Sequence, residues 1–236
     1  MRIAVITDAH ANLPALRAAL AEIRRIGVDA VHHTGDAIGI GPQPAETLDL
    51  LLDQPDAVLV MGNHDEWFAR GLPERPEGMS VGELTHHRWV HAQLDPALRG
   101  VVTDWPYARD EEIGGARVRF LHYPLTPRGF ARFRTLETPA DADALFGGAG
   151  DADLLFYGHH HPFSDLSGAA RYVNPGSLGC HHRPLARFAI LDASAEGDPR
   201  ITFHAAPYDP APMLAEFERR GVPERDFILR HFMPQP

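Results

Sequence analysis

The 236-residue chain holds one cysteine, Cys180, so neither an internal disulfide framework nor a cysteine-rich zinc module can be built from it, and a lone thiol fits a reducing, cytoplasmic setting. Long apolar runs are missing too. No stretch approaches the length of a membrane span, and the opening MRIAVITDAH reaches a carboxylate and a histidine too early for a secretory signal. Positive charge is not in excess either: the formal net charge of -10 argues against general affinity for nucleic acid or anionic lipid. Neither an internal repeat nor a low-complexity tract appears. What remains, at 44% hydrophobic residues, is enough apolar material for a sizeable core, and the expectation is one domain over residues 1–236.

The first third alternates short apolar runs with helical patterns, the signature of strand–helix–strand units with parallel pairing. RIAVIT reads as a buried strand. NLPALRAALAEIRRIG then places Leu16, Leu20 and Ile23 on one helical face, with Pro14 near its start and Gly27 as its stop. DAVHHTG, PAETLDLLLD and DAVLVMG supply a second strand, a second helix and a third strand. After a Pro/Gly-rich connector, VGELTHHRWVHAQL reads as an inserted helix with Leu84, Trp89, Val90 and Leu94 inward, packed over or beside the sheet ends. From Ala116 strands return as ARVRFLHY, DLLFYG, ARYVNPG, ARFAILD and RITFHAA, read together as a largely antiparallel or mixed second sheet. The tail gives two short amphipathic helices broken at Gly221 and Pro223.

The polar residues gather at the strand ends. RIAVIT runs into Asp8 and His10, DAVHHT into Gly35 and Asp36, DAVLVM into Gly62, Asn63, His64 and Asp65, ARVRFL into His122, and DLLFY into Gly158, His159, His160 and His161. If residues 159–161 are extended, His159 and His161 project together and His160 turns away. Taken singly, each group has an ordinary reading: Asp8 as a helix cap, Asp36 or Asn63 as a turn former, His122 as a satisfied core histidine. Five such coincidences at successive strand ends are far less plausible than one site, because an α/β sheet places its site beyond the carboxyl ends of its strands. His32 and His33 sit inside a strand and are expected to pack or to meet the helical layer. His86, His87 and His91 either face solvent or line the cleft from above. PRGFARFR, with Arg128, Arg132 and Arg134, reads as a solvated loop.

The series DAH, GD, GNHD, LH, GHHH resembles the calcineurin-like metallophosphoesterase superfamily, with all five blocks in order. GDAIGIGPQP, VNPGSLG and the chain length are similar to its small bacterial and archaeal phosphodiesterase branch. The resemblance implies an α/β fold: a four-layer α-β-β-α sandwich of two mixed sheets packed face to face, helices outside, with a small helical insertion near residues 80–95. It implies two divalent metal ions, one held by Asp8, His10, Asp36 and His161 and the other by Asp36, Asn63, His122 and His159, with Asp36 shared. Nitrogen and oxygen donors without thiolate suit Mn, the expected metal, or Fe, Zn, Ni or Co. Two such ions, less two carboxylates and a hydroxide, leave a local charge of about +1, so overall acidity does not exclude an anionic substrate.

By the same resemblance, hydroxide bridging metals about 3.5 to 4 Å apart attacks phosphorus directly in phosphodiester or phosphomonoester bonds of a small phosphorylated substrate. Asn63 then contacts metal and phosphoryl group, and His64 protonates the leaving oxygen. Asp65 orients His64 or a ligand, or else caps the helix that starts there. Tyr123, Arg183 and His87 are the expected substrate contacts. Three departures stand out: His160 replaces a common Thr, Tyr123 follows His122 where a small residue is usual, and GDAIGIG lacks the Asp-Arg of Ser/Thr protein phosphatases, whose Asp supports the catalytic histidine. A nucleotide or dinucleoside polyphosphate hydrolase is the alternative enzyme, and a retromer-subunit-like scaffold with a degraded site the alternative of another class. No ligand is missing here, which favours an enzyme. Membrane partners are not expected, and homo-oligomerisation is left open.

Overall fold

A computed structural model describes residues 1–72, 79–127, 129–147, 150–193 and 199–234. The chain begins β1 (Arg2–Ile6), α1 (Leu13–Ile26), β2 (Ala30–His33), α2 (Pro44–Leu52), β3 (Val58–Leu59). In α1 the Asn12 side chain accepts the Ala15 N–H at 3.2 Å, Pro14 occupies the first turn, and Gly27 closes the helix at φ 76°. Three short helices follow, α3 (Asn63–Arg70), α4 (Val81–Ala92) and α5 (Leu98–Thr103), and then β4 (Ala108–Ile113) and β5 (Ala116–Leu121). A ribbon of β6 (Leu125–Thr126) and β7 (Gly129–Phe130) leads to α6 (Pro139–Leu145), β8 (Leu154–Phe156), β9 (Phe163–Ser167) and β10 (Arg171–Pro175). The chain ends with β11 (Leu185–Asp192), β12 (Arg200–Pro207), α7 (Ala211–Arg219) and α8 (Arg225–Phe232).

Two five-stranded mixed sheets result, ordered β12-β11-β1-β2-β3 and β4-β5-β8-β10-β9. Each has a parallel trio, β1-β2-β3 and β5-β8-β10, extended by antiparallel strands. Alternation along the strands builds the layers. Ile3 and Val5 of the first sheet meet Val118, Phe120, Leu154, Phe156 and Val173 of the second in a core between the sheets. The opposite faces turn outward: Ala4 and Ile6 pack on α1, α2 and the helices up to α5, whereas Leu155, Tyr157 and Tyr172 pack on α6. This is the expected four-layer α/β sandwich.

Several local expectations change. ARFAILD and RITFHAA do not join the second sheet; β11 pairs antiparallel with β1, Ile3 opposite Leu191, and β12 pairs with β11. Alternation marks a strand but not its partner, so the sequence left this open. The charged ARDEEI, which offers no apolar stripe, is nonetheless edge strand β4 on β5. On α4 the inward positions are His86, His87 and Val90, while Leu84 and Trp89 are half-buried. His33 faces the helical side, but His32, beside Val5 in the register, lies between the sheets against Phe120, with its Nε2 3.2 Å from Glu111 Oε1. Arg128 lies outside the described residues.

Candidate metal centre

Both parallel trios end on the same side of the sandwich, and there the strand-end residues converge. Asp8, His10, Asp36, Asn63 and His122 are all buried. His10 Nε2 lies 3.6 Å from Asp8 Oδ1, 3.8 Å from Asp36 Oδ2 and 3.2 Å from His161 Nε2. His122 Nε2 is 3.2 Å from Asp36 Oδ2 and 3.1 Å from Asn63 Oδ1. Asp36, His122 and His159 form one compact donor group, and His10, Asp36 and His64 form another, with all donor atoms of each within 4.8 Å of one another. His161 is 3.7 Å from Asp8 Oδ1.

The local backbone explains how so many donors share one place. Asp8, His10, Asp36, His159 and His161 all have φ between 45° and 70°, a left-handed region that costs side-chain-bearing residues about 1 kcal/mol or more each. Residues 159–161 are therefore not extended: β8 stops at Phe156, and tight turns rather than strand alternation aim His159 and His161. His160, expected to turn away, lines the cavity, with Nε2 3.3 Å from the Tyr123 hydroxyl. Two glycines permit the close approach. A Cβ on Gly62 would lie 2.2 Å from Asp36 N and Oδ1, and one on Gly158 would lie 2.7 Å from His122 Nδ1. Asp65 serves the start of α3 and the Asp36 loop together. Its carboxylate accepts the Gly62 N–H at 3.0 Å at the start of α3, and the N–H groups of Asp36 at 2.8 Å and Ala37 at 3.0 Å, which fixes the loop that carries Asp36.

The protonation states suit a cation. Burial, with the nearby Asp36 charge, raises the Asp8 carboxyl to about 7. Burial opposes charge on His122, but Asp36, Asp8 and the Thr34 carbonyl outweigh it and raise the ring to about 9. Burial lowers His159 to about 2 and His161 to about 3, leaving neutral rings with lone pairs to share. His122 Nδ1 donates to the Thr34 carbonyl at 2.9 Å, which aims Nε2 at the cluster. Buried carboxylates with neutral imidazoles at His159 and His161 fit a divalent metal with oxygen and nitrogen ligands, which would take the place of the His122 Nε2 proton.

His64 N–H donates to Asp36 Oδ1 at 2.9 Å, and its Nε2 lies 3.9 Å from Asp36 Oδ2. Its Nδ1 has no partner among the described residues and rests against Gly39, so no carboxylate supports the ring. Burial, then the neighbouring His87 and His10, holds it well below the ordinary histidine range. A cavity of about 510 Å³ opens over His10, Asp36, His64, His159 and His161, and His87 of α4 lines it. Arg183 and Tyr123 are not among its lining residues. The Tyr123 hydroxyl instead accepts the Arg134 N–H at 3.0 Å while its ring packs 4.5 Å from His159, so it braces that ring rather than facing the cavity. Arg183 is exposed on a loop whose turn is closed by His181. Sequence reasoning missed Cys180, buried and grouped with His10 and His161. Nothing in its spacing marks it; the fold brings it there because Gly179 N–H donates to the Asp8 carbonyl at 2.9 Å.

Two packed mixed sheets with an Asp/His cluster at the ends of their parallel strands define a metallophosphoesterase-type architecture. The sequence profile of the calcineurin-like phosphoesterase superfamily domain matches residues 1–196, and the chain belongs to that superfamily. An uncharacterized protein of Methanocaldococcus jannaschii is 28% identical over 94% of both chains. A metallophosphoesterase from Sphaerobacter thermophilus superposes with TM-score 0.74 at 28% identity, covering 98% of this chain and 97% of its own. A hypothetical protein from Pyrococcus horikoshii OT3 superposes with TM-score 0.83 at 18% identity over 100% and 99%, a likeness of fold. No helix among the described residues is long and apolar enough to cross a membrane.

Proposed function

We propose that the protein is a binuclear metal-dependent phosphoesterase acting on a small phosphoester. The observation that carries this reading is the cluster formed by Asp8, His10, Asp36, Asn63, His122, His159 and His161, of which His10, Asp36, His159 and His161 line one cavity. Asp8, His10, Asp36 and His161 would hold one ion, and Asp36, Asn63, His122 and His159 the other. When bound, divalent ions such as manganese supply charge neutralisation for the phosphoryl oxygens and a water of lowered pKa.

The chain's own groups do the rest. Asp36, fixed by Asp65 and by the His64 N–H, can offer its two oxygens in two directions. Asn63, whose Oδ1 lies 3.1 Å from His122 Nε2 beside Asp36, would hold the second ion with its amide oxygen and leave its amide nitrogen to donate to a phosphoryl oxygen. His64 lines the cavity beside His10 and Asp36, where the negative charge of a bound phosphoester raises its basicity and allows it to hand a proton to the leaving oxygen. Metal analysis of the purified chain, with hydrolysis of p-nitrophenyl phosphate and bis(p-nitrophenyl) phosphate after manganese addition, tests the reading. About two equivalents of metal and cleavage of at least one ester are expected. A protein that takes up no metal, or one that is loaded and cleaves neither ester, would refute it.

A further inference from the structure

The cavity has two sides of different chemistry. One is the Asp/His cluster. The other is walled by Ile40, Phe133, Phe227, Ile228 and Phe232, together with side chains from α4. Among the described residues no arginine lines it, and the chain contains no lysine. Arg132 and Arg134 border a separate cavity with Pro124 and Leu125.

The polar groups of the second side are chiefly acceptors. His86 is 4% exposed, and its Nδ1–H donates to the Pro223 carbonyl at 3.2 Å, so Nε2 is a bare lone pair, without a partner among the described residues. Burial lowers this ring to about 4, which keeps it an acceptor at neutral pH. Glu83 and Glu224 add carboxylates. A Cβ on Gly82 would come within 2.4 Å of the Glu224 carboxyl carbon, so the missing side chain is what lets that carboxylate rest on the first turn of α4 beside Glu83. Among the described residues, Glu83 has the Ser80 N–H and a neutral His87 near it rather than a cation. Two carboxylates, an unused imidazole lone pair and three phenyl rings favour a positively charged hydrogen-bond donor and disfavour a second phosphate. This wall opposes a dinucleoside polyphosphate for the same reason.

We propose that the substrate is a phosphoester with a single phosphate whose organic group carries a protonated amine, the phosphate lying on the Asp/His cluster and the ammonium among Glu83, Glu224 and His86. The proposal rests on the phosphoesterase reading. The test uses the manganese-loaded full chain with p-nitrophenyl phosphodiesters of 2-aminoethanol, propanol, choline and 3-hydroxypropanoate, all read by nitrophenol release. The aminoethyl ester should exceed its propyl isostere at least about tenfold in kcat/KM, the choline ester, charged but without an N–H, should fall between them, and the carboxylate ester should be slowest. In Glu224→Gln and in His86→Phe the aminoethyl-to-propyl ratio should fall toward one. Equal rates across the esters, preference for the carboxylate, or folded variants that keep the wild-type ratio would each overturn the proposal and leave the phosphoesterase reading standing. Failure to cleave any ester with metal bound would overturn both. Should either variant not fold, the wild-type series decides by itself.

Discussion

His122 and Asp36, which follow strands of different sheets, meet at 3.2 Å between Nε2 and Oδ2, and both ring nitrogens of His122 act as donors, Nδ1 to the Thr34 carbonyl and Nε2 toward Asp36 and Asn63. In the metal-free chain this ring is an imidazolium, raised to about 9. A cation ligated there must displace the Nε2 proton. Metal uptake should therefore release protons, and apparent affinity for manganese should rise from pH 7 to 9 and level off above. Calorimetric titration in buffers of differing ionisation enthalpy measures this; affinity independent of pH would contradict it.

Asp36 belongs to two donor groups at once, whereas His160 contacts the Tyr123 hydroxyl and the Phe133 ring. Asp36→Asn keeps the shape but loses the charge, and should bind less than half the wild-type metal and lose at least about 100-fold in kcat. His160→Ala should keep its full metal content. Metal analysis distinguishes the two, and metal loss in His160→Ala would mean that the turn over 159–161 presents a different ring to the site.

His64→Ala should retain metal, because the main-chain N–H of residue 64, not the imidazole, donates to Asp36 Oδ1 at 2.9 Å. Turnover should slow most for esters with poor leaving groups, since these need the proton. A leaving-group series gives the slope. The same loss for nitrophenyl and alkyl esters would remove the acid role from His64, and depletion of metal would make the ring a ligand in the group it forms with His10 and Asp36.

Gly62→Ala places a methyl 2.2 Å from Asp36 N and Oδ1, both held by other bonds. Neither atom can retreat as a flexible side chain would. A loss of about 1–3 kcal/mol in stability is expected, with weaker metal retention. Thermal unfolding with and without manganese checks both, and an unchanged midpoint would show that α3 can shift away from the Asp36 loop.

Buried neutral histidines set the response to acid. Burial lowers His33 to about 3, His86 to about 4 and His87 to about 3, all below the 6.5 expected in the unfolded chain. Their stabilising contribution is complete above pH 6.5 and is lost as pH falls toward 4, at roughly 1.4 kcal/mol per group and pH unit. Asp8 and Asp65, raised to about 7 by burial, and His122, raised to about 9, act in the opposite sense, but with His91 and His160 lowered to about 4, His161 to about 3 and His159 to about 2 the lowered histidines outnumber them. The unfolding midpoint of the protein in chelator should fall between pH 7 and 5. A flat profile would mean that these rings are reached by water.

Much of this was legible before any coordinates. Apolar runs ending in Asp, Asn or His place a cluster at strand ends, because parallel strands deliver their last residues to one edge, and the helix over Leu16, Leu20 and Ile23 follows from its periodicity. Other features had no local signal. ARDEEI is a strand only because β5 offers it an edge, and Cys180 joins the cluster only because its loop is bonded to the Asp8 carbonyl.

The sequence by itself determined the donor types, their order and the parallel units that bring them to one end, since residue chemistry and hydrophobic period are local properties. Only the tertiary structure decided which sheet receives β11 and β12, that His159 and His161 are aimed by left-handed turns, and that His86, Glu83 and Glu224 share a cavity with the Asp/His cluster. Those are outcomes of which surfaces exclude water together, and groups far apart in the chain acquire a common environment only when the layers close.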